Sequence, residues 1–182
     1  MGLFLQTAIV PDCREADVRK AVEKLASKME LIPEQCQYRE SEAGCAVLFN
    51  DDCCGFDELA KKMSVTLSCP VMLLYIYDGD FWGYFLYDQK QELDSFNTLP
   101  DYFECSPEEQ QNCAGDSAVI ARYFHVEQKD IERYLRFWTE EMMEQYEEPA
   151  YPEDEFGQCD CWQMADFMRK LGFPYTFGEE EA

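Results

Sequence analysis

Basic residues are scarce in this chain. Its 182 residues include 15 lysines and arginines against 38 aspartates and glutamates, which gives a formal net charge of −23. Proteins that bind nucleic acid phosphates or anionic membrane surfaces need clusters of basic side chains. The composition therefore predicts a protein that binds neither nucleic acid nor membrane. Its charge instead favours a basic protein partner, and the sequence leaves the oligomeric state open.

Long apolar segments and targeting signals are missing as well. A helix that spans a membrane needs about 20 consecutive apolar residues, and no run in this sequence approaches that length. Residues 1–10 are apolar, but they lack the basic start and the cleavage site of a secretory signal, and Pro11 follows them. We therefore expect a cytoplasmic protein whose ten cysteines are reduced and mostly buried.

The residue types of hydrolytic sites are nearly absent. His125 is the only histidine, so a Ser-His-Asp or Cys-His system would have to use it. It stands beside predicted helices, where a capping or surface role is the ordinary expectation. Gly79 and Gly83 belong to a predicted hairpin and not to a strand-to-helix junction, so they form no phosphate-binding loop.

Two closely spaced cysteine pairs are candidates for metal or redox sites. Neither Cys53-Cys54 nor Cys159-Asp160-Cys161 has the spacing of a structural zinc site. Acidic neighbours raise a thiol pKa, and a redox role needs a lowered one. The sequence therefore predicts no cofactor, no metal and no catalytic residue, and it favours a non-enzymatic protein.

The first hundred residues alternate between strand and helix patterns. Val18, Val22, Leu25 and Met29 form an apolar stripe at helical spacing, and a second amphipathic helix follows Gly55. The predicted order is strand, helix, strand, strand, helix, strand, which is the ferredoxin-like βαββαβ order. The predicted fold class is α+β, with a mixed or antiparallel sheet of five to six strands.

The stretch Val71–Phe103 is expected to supply the centre of this sheet. Both alternating sets of side chains in Val71–Tyr77 are apolar or aromatic, as in a strand that is covered on both faces. Asp78-Gly79 is a strong signal for a two-residue hairpin turn. Such a turn would place Tyr75 opposite Trp82 on one face of the sheet.

Helical patterns dominate after Pro100. Asp116 is positioned to cap a short helix, and a longer helix is predicted from Glu127 to Tyr146. Residues 68–182 also carry most of the negative charge. We expect a sheet domain at 1–103 and an acidic helical extension at 104–182, which packs on the sheet to give one compact unit.

Aromatic and acidic residues concentrate around the predicted hairpin. Tyrosine and tryptophan on an exposed sheet face make a good recognition surface, because they offer large contact area with few rotatable bonds. Asp78, Asp80, Asp88, Asp94 and Asp101 surround them, although turn chemistry accounts for most of these aspartates. The candidate binding residues are Tyr75, Asp78, Asp80, Trp82, Tyr84 and Tyr102.

Residues 59–178 contain several short motifs: Cys69-Pro70 before a hydrophobic strand, the turn Asp78–Asp80, the segment Pro100–Phe103, a helix capped by Gly115-Asp116, and Leu171–Pro174. Together these motifs resemble a group of uncharacterised bacterial proteins. The resemblance implies a bacterial protein domain. It brings no activity and no site residue, because none is known for that group.

Two hypotheses about function follow. The first is a non-catalytic, acidic interaction module of the immunity or adaptor type that binds a basic protein partner. The alternative is a small-molecule-binding protein or a hydrolase with an acidic pocket between the sheet and the C-terminal helices, lined by the Asp78–Asp101 carboxylates. The position of those carboxylates distinguishes the two.

Overall fold

The computed structural model describes residues 2–27, 31–49, 56–103, 106–145 and 148–178. The chain has an α+β fold, as predicted, built around a six-stranded sheet whose neighbouring strands are all antiparallel. Within the described ranges, no helix is both long and apolar enough to cross a membrane. The strands are β1 (Leu5–Pro11), β2 (Gln37–Ser41), β3 (Gly44–Leu48), β4 (Val71–Tyr77), β5 (Phe81–Asp88) and β6 (Gln91–Asn97). The α-helices are α1 (Glu15–Ala26), α2 (Phe56–Leu67), α3 (Pro107–Asn112), α4 (Ser117–Phe124), α5 (Glu140–Gln145) and α6 (Gln163–Lys170).

The strand order corrects the predicted topology. The strands lie in the order β2-β3-β1-β4-β5-β6, whereas a four-stranded ferredoxin-like sheet would end at β4. Two successive hairpins add β5 and then β6 to the same sheet. As a result β4 is hydrogen-bonded on both sides, to β1 and to β5. The elements through β4 follow one another along the chain in the predicted βαββαβ order. The strand order of the complete six-stranded sheet is not ferredoxin-like, because β5 and β6 extend it beyond β4.

Alternation along the strands divides the buried apolar residues into two clusters. One cluster includes Ala8, Val71 and Leu73 on the strands together with residues of α1 and α2, such as Val22 and Met63. The second contains the side chains that alternate with these on the strands and residues from the C-terminal helical part. Strand members of the second cluster include Ile9, Met72, Leu74, Trp82, Tyr84 and Leu86.

Phe167 on α6 makes the clearest aromatic contacts with this second set. Its ring centroid lies 5.3 Å from that of Trp82, and it stacks on Tyr84 at 5.8 Å. Trp82 also donates a hydrogen bond of 3.2 Å from Nε1 to Oε1 of Gln163. Buried tryptophan needs such a partner for its N–H group. Thus α6 contacts the side of β5 that faces away from α2.

The long helix predicted from Glu127 to Tyr146 does not form. Short 3-10 turns occupy Gln128–Asp130 and Glu132–Tyr134, and helical structure resumes only at Glu140. The backbone N–H of Trp138 donates a hydrogen bond of 2.6 Å to the Thr98 carbonyl. This N–H group therefore makes a tertiary contact. Ile131 and Trp138 are still buried. The apolar spacing therefore correctly predicted that these side chains are buried, but it wrongly predicted that their backbone is helical.

We predict that Phe167→Ala strongly destabilises the fold. The substitution removes a fully buried ring from the contacts with Trp82 and Tyr84, and such a change lowers the free energy of unfolding by about 3–5 kcal/mol. Urea unfolding followed by circular dichroism measures the loss. Met143→Ala is the control, because the Met143 side chain is exposed and its loss should change the free energy by about 0.5 kcal/mol or less. Equal effects of the two variants would contradict the prediction.

Candidate functional site: an aromatic face with an acidic rim

The length of the β4–β5 turn decides which aromatic residues face each side of the sheet. The connection has three residues, Asp78–Asp80, so Tyr77 pairs with Phe81 and Tyr75 pairs with Gly83. The predicted two-residue turn placed Tyr75 opposite Trp82, and the register is therefore shifted by one residue. Such a shift moves side chains to the opposite face. Asp78 and Gly79 make the turn with φ angles of 54° and 79°, in the left-handed region that aspartate and glycine tolerate.

Six aromatic side chains form a continuous surface on the side of β4 and β5 that α2 borders. Tyr77 is its centre, with ring centroids 5.0 Å from Phe4, 5.1 Å from Phe103 and 5.8 Å from Tyr102. Phe81 is fully buried and supports this layer, 5.4 Å from Tyr77. Phe103, Phe4 and Tyr102 are respectively 53%, 45% and 38% exposed. We call this surface the aromatic face: Phe4, Tyr75, Tyr77, Phe85, Tyr102 and Phe103.

Gly83 allows Tyr75 to lie across β5. A Cβ atom at Gly83 would be 2.4 Å from the Tyr75 hydroxyl oxygen and 2.4 Å from the Phe96 carbonyl oxygen. Neither distance is possible for a real side chain, so glycine is required here. In the space that glycine leaves, the Tyr75 ring stacks on Phe85 with centroids 5.6 Å apart. The two ring planes differ by 23°, and both rings line the cleft described next; we call this pair the Tyr75–Phe85 platform.

A cleft of about 440 Å³ lies beside this platform. We call it the aromatic cleft. Lys61 on α2 lines the cleft. Its Nζ atom is 5.2 Å from the centre of the Tyr87 ring and 3.2 Å from Oδ2 of Asp57. The cleft thus already holds one cation between an aromatic ring and a carboxylate. Its lining residues are Gln6, Asp57, Lys61, Leu73, Tyr75, Phe85, Tyr87, Glu92 and Phe103.

Carboxylates surround the aromatic face without covering it. Asp57 and Glu92 line the aromatic cleft, and the exposed Asp78, Asp80 and Asp101 lie at the turn end of the face. Tyr102 donates a hydrogen bond of 3.0 Å to Oδ2 of Asp80. That carboxylate raises the pKa of Tyr102 above its ordinary value. We call these five acidic residues the acidic rim.

The structure places the six predicted binding residues in three different settings, two residues in each. Tyr75 and Tyr102 belong to the aromatic face, and Asp78 and Asp80 to the acidic rim. Trp82 and Tyr84 have no exposed surface and lie on the opposite side of β5, so in this fold they cannot contact a partner. Sequence reasoning did not single out four members of the aromatic face as site residues: Phe4, Tyr77, Phe85 and Phe103.

Tyr84 has a structural role in the buried side of the sheet. Its hydroxyl donates a hydrogen bond of 2.6 Å to Oδ2 of Asp94, which also accepts from the Asp116 N–H at 3.0 Å. Burial raises the pKa of Tyr84 well above its ordinary value. Burial also raises the pKa of Asp94, against the effect of these hydrogen bonds. The network joins β5 and β6 to the start of α4, where Asp116 caps the helix as predicted.

The five aspartates of the proposed acidic pocket do not meet at one place. Asp78 and Asp80 lie at one end of the β4–β5 hairpin and Asp88 at the other end of β5. Asp94 is half-buried behind Tyr84, and Asp101 is exposed in the 3-10 turn Pro100–Phe103. In the part of the chain that the structure describes, no three histidine, cysteine or acidic side chains are arranged to hold a metal ion.

His125 occupies a surface position. It ends α4 in a left-handed conformation with a φ angle of 56°, and its Nε2 lies 3.7 Å from Oδ2 of Asp12. Both side chains are more than 70% exposed. This position agrees with a capping role and supplies no buried nucleophile or orienting group for a catalytic system.

The cysteine pairs that are adjacent in sequence differ from the pair that meets in space. Cys53-Cys54 lies outside the described residues. Burial, followed by the Asp160 charge, raises the pKa of Cys161 to about 11. In contrast, Cys13 and Cys69 bring their Sγ atoms to 3.2 Å. The sequence gives no local signal for this contact, because 56 positions separate the two residues.

A second cleft, of about 430 Å³, lies at the C-terminal helix α6. Phe156, Trp162 and Tyr175 supply aromatic walls. Asp166 is 2% exposed and accepts hydrogen bonds from the Phe156 N–H at 2.8 Å and from Arg169. Its oxygens therefore hold a loop of the chain against α6. We assign this carboxylate a structural role.

Comparison with protein-family models, with curated proteins and with solved structures finds no match for the chain. The function proposed below is therefore argued from the geometry of the aromatic face and from its charge.

We predict that Asp94→Asn has a pH-dependent effect on stability. Burial raises the pKa of Asp94 above its ordinary value of 3.8, so the protonated carboxyl favours the folded state. This contribution is full below the unfolded pKa and is lost as pH rises through the raised folded pKa. Asparagine does not titrate. The free energy of unfolding of Asp94→Asn, taken relative to that of the natural chain, should therefore be higher at pH 7 than at pH 4.

Urea unfolding at several pH values between these limits measures this difference. Asp101→Asn is the matched control, because it makes the same change at an exposed aspartate, where the burial effect assigned to Asp94 does not apply. A pH-independent difference for Asp94→Asn would contradict the assigned burial effect.

Proposed function

We propose that this protein is a non-catalytic interaction module that binds a basic segment of another protein on its aromatic face. One observation carries the proposal. Lys61 lies over Tyr87 and is paired with Asp57 and, at 3.4 Å, with Glu58. These contacts support the proposal, because they place a cation of the chain itself against an aromatic ring and a carboxylate of the aromatic cleft.

The Tyr75–Phe85 platform offers a second place of the same kind. An arginine or lysine from a partner, placed over these rings, would be attracted by their electron-rich faces. Glu92 lines the same cleft and would supply the carboxylate, as Asp57 does for Lys61. Arginine suits the site best, because its planar guanidinium stacks on aromatic rings and pairs with carboxylates at the same time.

The exposed rings at the turn end would contact apolar side chains beside the basic residue. Phe103, Phe4 and Tyr102 retain large exposed fractions although they touch one another and Tyr77. A contiguous exposed patch of this kind is typical of interaction sites, and aromatic residues supply much of the binding energy at such sites. The acidic rim and the net charge of −23 would accelerate the approach of a basic partner.

The C-terminal helical part contributes by covering the other side of the sheet. We propose that residues 104–182 form one unit with residues 1–103, because Phe167 contacts both Trp82 and Tyr84. Trp82 and Tyr84 of β5 then lie on the side that α6 covers, and Phe85 of the same strand lies on the side of the aromatic cleft. The alternative of a hydrolase or small-molecule site lined by the Asp78–Asp101 group has no geometric support, since those carboxylates are dispersed.

Binding is tested with an array of short peptides in which basic, acidic and apolar residues vary at fixed positions. We expect the purified chain to bind peptides with arginine or lysine beside an apolar residue. The affinity should fall about tenfold or more between about 0.05 M and about 0.5 M sodium chloride, because salt screens the acidic rim. Equal binding of acidic and basic peptides would contradict the proposal.

Paired variants separate the aromatic face from the rest of the surface. Phe103→Ser should weaken binding of the selected peptide, whereas Ile32→Ser, which alters an apolar side chain exposed to a similar degree, should not. Glu92→Lys should weaken binding more than Glu34→Lys, which makes the same charge change at the exposed 3-10 turn Pro33–Gln35. Equal losses within each pair would show that the aromatic face is not the site.

A further inference from the structure

Cys13 and Cys69 come together at one end of the sheet. Cys13 lies between β1 and α1, and Cys69 lies between α2 and β4. Because β1 and β4 are antiparallel neighbours, the chain leaves one strand close to where it enters the other. Asp12 and Ser68, the residues immediately before the cysteines, both have left-handed φ angles, of 57° and 54°. The two Sγ atoms are 3.2 Å apart.

This thiol pair is accessible to a small molecule. Both cysteines are only partly buried. Cys13 also lines a cleft of about 340 Å³ between α1 and the end of α2, together with Lys20, Lys24 and the oppositely charged Asp17. The two lysines give this cleft a positive excess in an otherwise acidic protein. A small disulfide that carries carboxylates matches the positive excess of the cleft.

We propose that Cys13 and Cys69 are a reversible thiol–disulfide pair that is oxidised by a low-molecular-weight disulfide of the glutathione type. These residues lie away from the aromatic face, so the proposal stands independently of the proposed function. It assigns a covalent modification site to two residues that the sequence does not connect.

The exchange proceeds in two balanced steps. The Cys13 thiolate attacks one sulfur of oxidised glutathione, the glutathione S–S bond breaks, and one glutathione leaves as a thiolate that takes up a proton. Cys69 then loses its proton and attacks the Cys13 sulfur, which forms the Cys13–Cys69 bond and releases the second glutathione. The two protein thiols lose two electrons and two protons in total, and oxidised glutathione becomes two thiols.

The surroundings assign the order of attack. Burial is the main cause that raises the pKa of Cys69, and its contact with Cys13 adds to this. The order of attack follows from position: Cys13 lines the cleft with the lysines, and Cys69 is not among its lining residues. Cys13 faces the cleft with the lysines and reacts first, and Cys69 resolves the mixed disulfide from 3.2 Å away.

The bond would tie the start of α1 to the end of α2. It closes a loop across 56 positions, and a cross-link over such a loop restricts the unfolded chain. The oxidised protein should therefore have a midpoint of thermal unfolding about 10 °C above that of the reduced protein.

The experiment incubates the reduced full chain in buffers of increasing ratio of oxidised to reduced glutathione. Acid quenching, alkylation of free thiols, proteolysis and mass spectrometry then identify the linked peptides. We expect a peptide that joins Cys13 to Cys69 to be the main cross-linked product and to disappear when the ratio is reversed. A different dominant pair, or no cross-link at all, would overturn the proposal.

Three single variants complete the test. Cys69→Ser should trap one glutathione on Cys13, and Cys13→Ser should leave Cys69 unmodified. Cys159→Ser is the control at another partly buried cysteine, and it should form the Cys13–Cys69 bond as the natural chain does. The rise in the thermal midpoint should occur in the natural chain and the control and be lost in the other two variants. A rise that persists in Cys69→Ser would contradict the proposed bond.

Discussion

The pairing of β4 with β5 is the constraint on which the rest of the structure depends. The three-residue turn Asp78–Asp80 sets Tyr75 against Gly83 and Ile76 against Trp82. With this register Trp82 and Tyr84 point toward α6, and Tyr75 and Phe85 point toward the aromatic cleft. A shift of one residue would exchange these sets, because successive side chains of a strand face opposite sides. The turn therefore determines both the buried cluster and the candidate site.

The same register requires glycine at position 83, on the side of β5 that carries the aromatic face. Any side chain there would collide with the Tyr75 ring and with the β6 backbone. Its absence lets Tyr75 lie flat and stack on Phe85. On the other side, burial of Tyr84 is compensated by its hydrogen bond to Asp94, since an unpaired buried hydroxyl is costly. On one side of β5, Gly83 leaves space for the Tyr75 ring. On the other side, Asp94 accepts the hydrogen bond that the buried Tyr84 hydroxyl needs.

Local patterns in the sequence predicted what depends on local physics. The α1 stripe at Val18, Val22 and Leu25, the strand at Val71–Tyr77 and the Asp116 cap follow from side-chain spacing or from one nearby hydrogen bond, and the structure contains them. Met29, the last predicted member of the stripe, lies outside the described residues. Non-local features were missed. The hairpin register changed with one residue of turn length, and the spacing of Ile131 and Trp138 indicated burial in a segment whose backbone bonds elsewhere.

The candidate site was predicted to the same limited extent. Tyr75 and Tyr102 were found because aromatic residues cluster in the sequence, but the division between core and surface depended on the register. Phe4 gave no signal for a site, because it is placed beside Tyr77 only by the pairing of β1 with β4. The contact of Cys13 with Cys69 has the same origin and was equally invisible to spacing rules.

The negative charge of the chain bears on how the aromatic face can remain exposed. An exposed aromatic patch on a neutral protein would favour self-association. Here the patch is bordered by the acidic rim on a chain of net charge −23, so two copies that approach through this face repel each other. Under the proposed function, the same repulsion would disfavour acidic partners, so a basic segment would be selected by an unfavourable interaction as much as by a favourable one. Lys61, held between Tyr87 and Asp57, shows that a cation is stable in this environment.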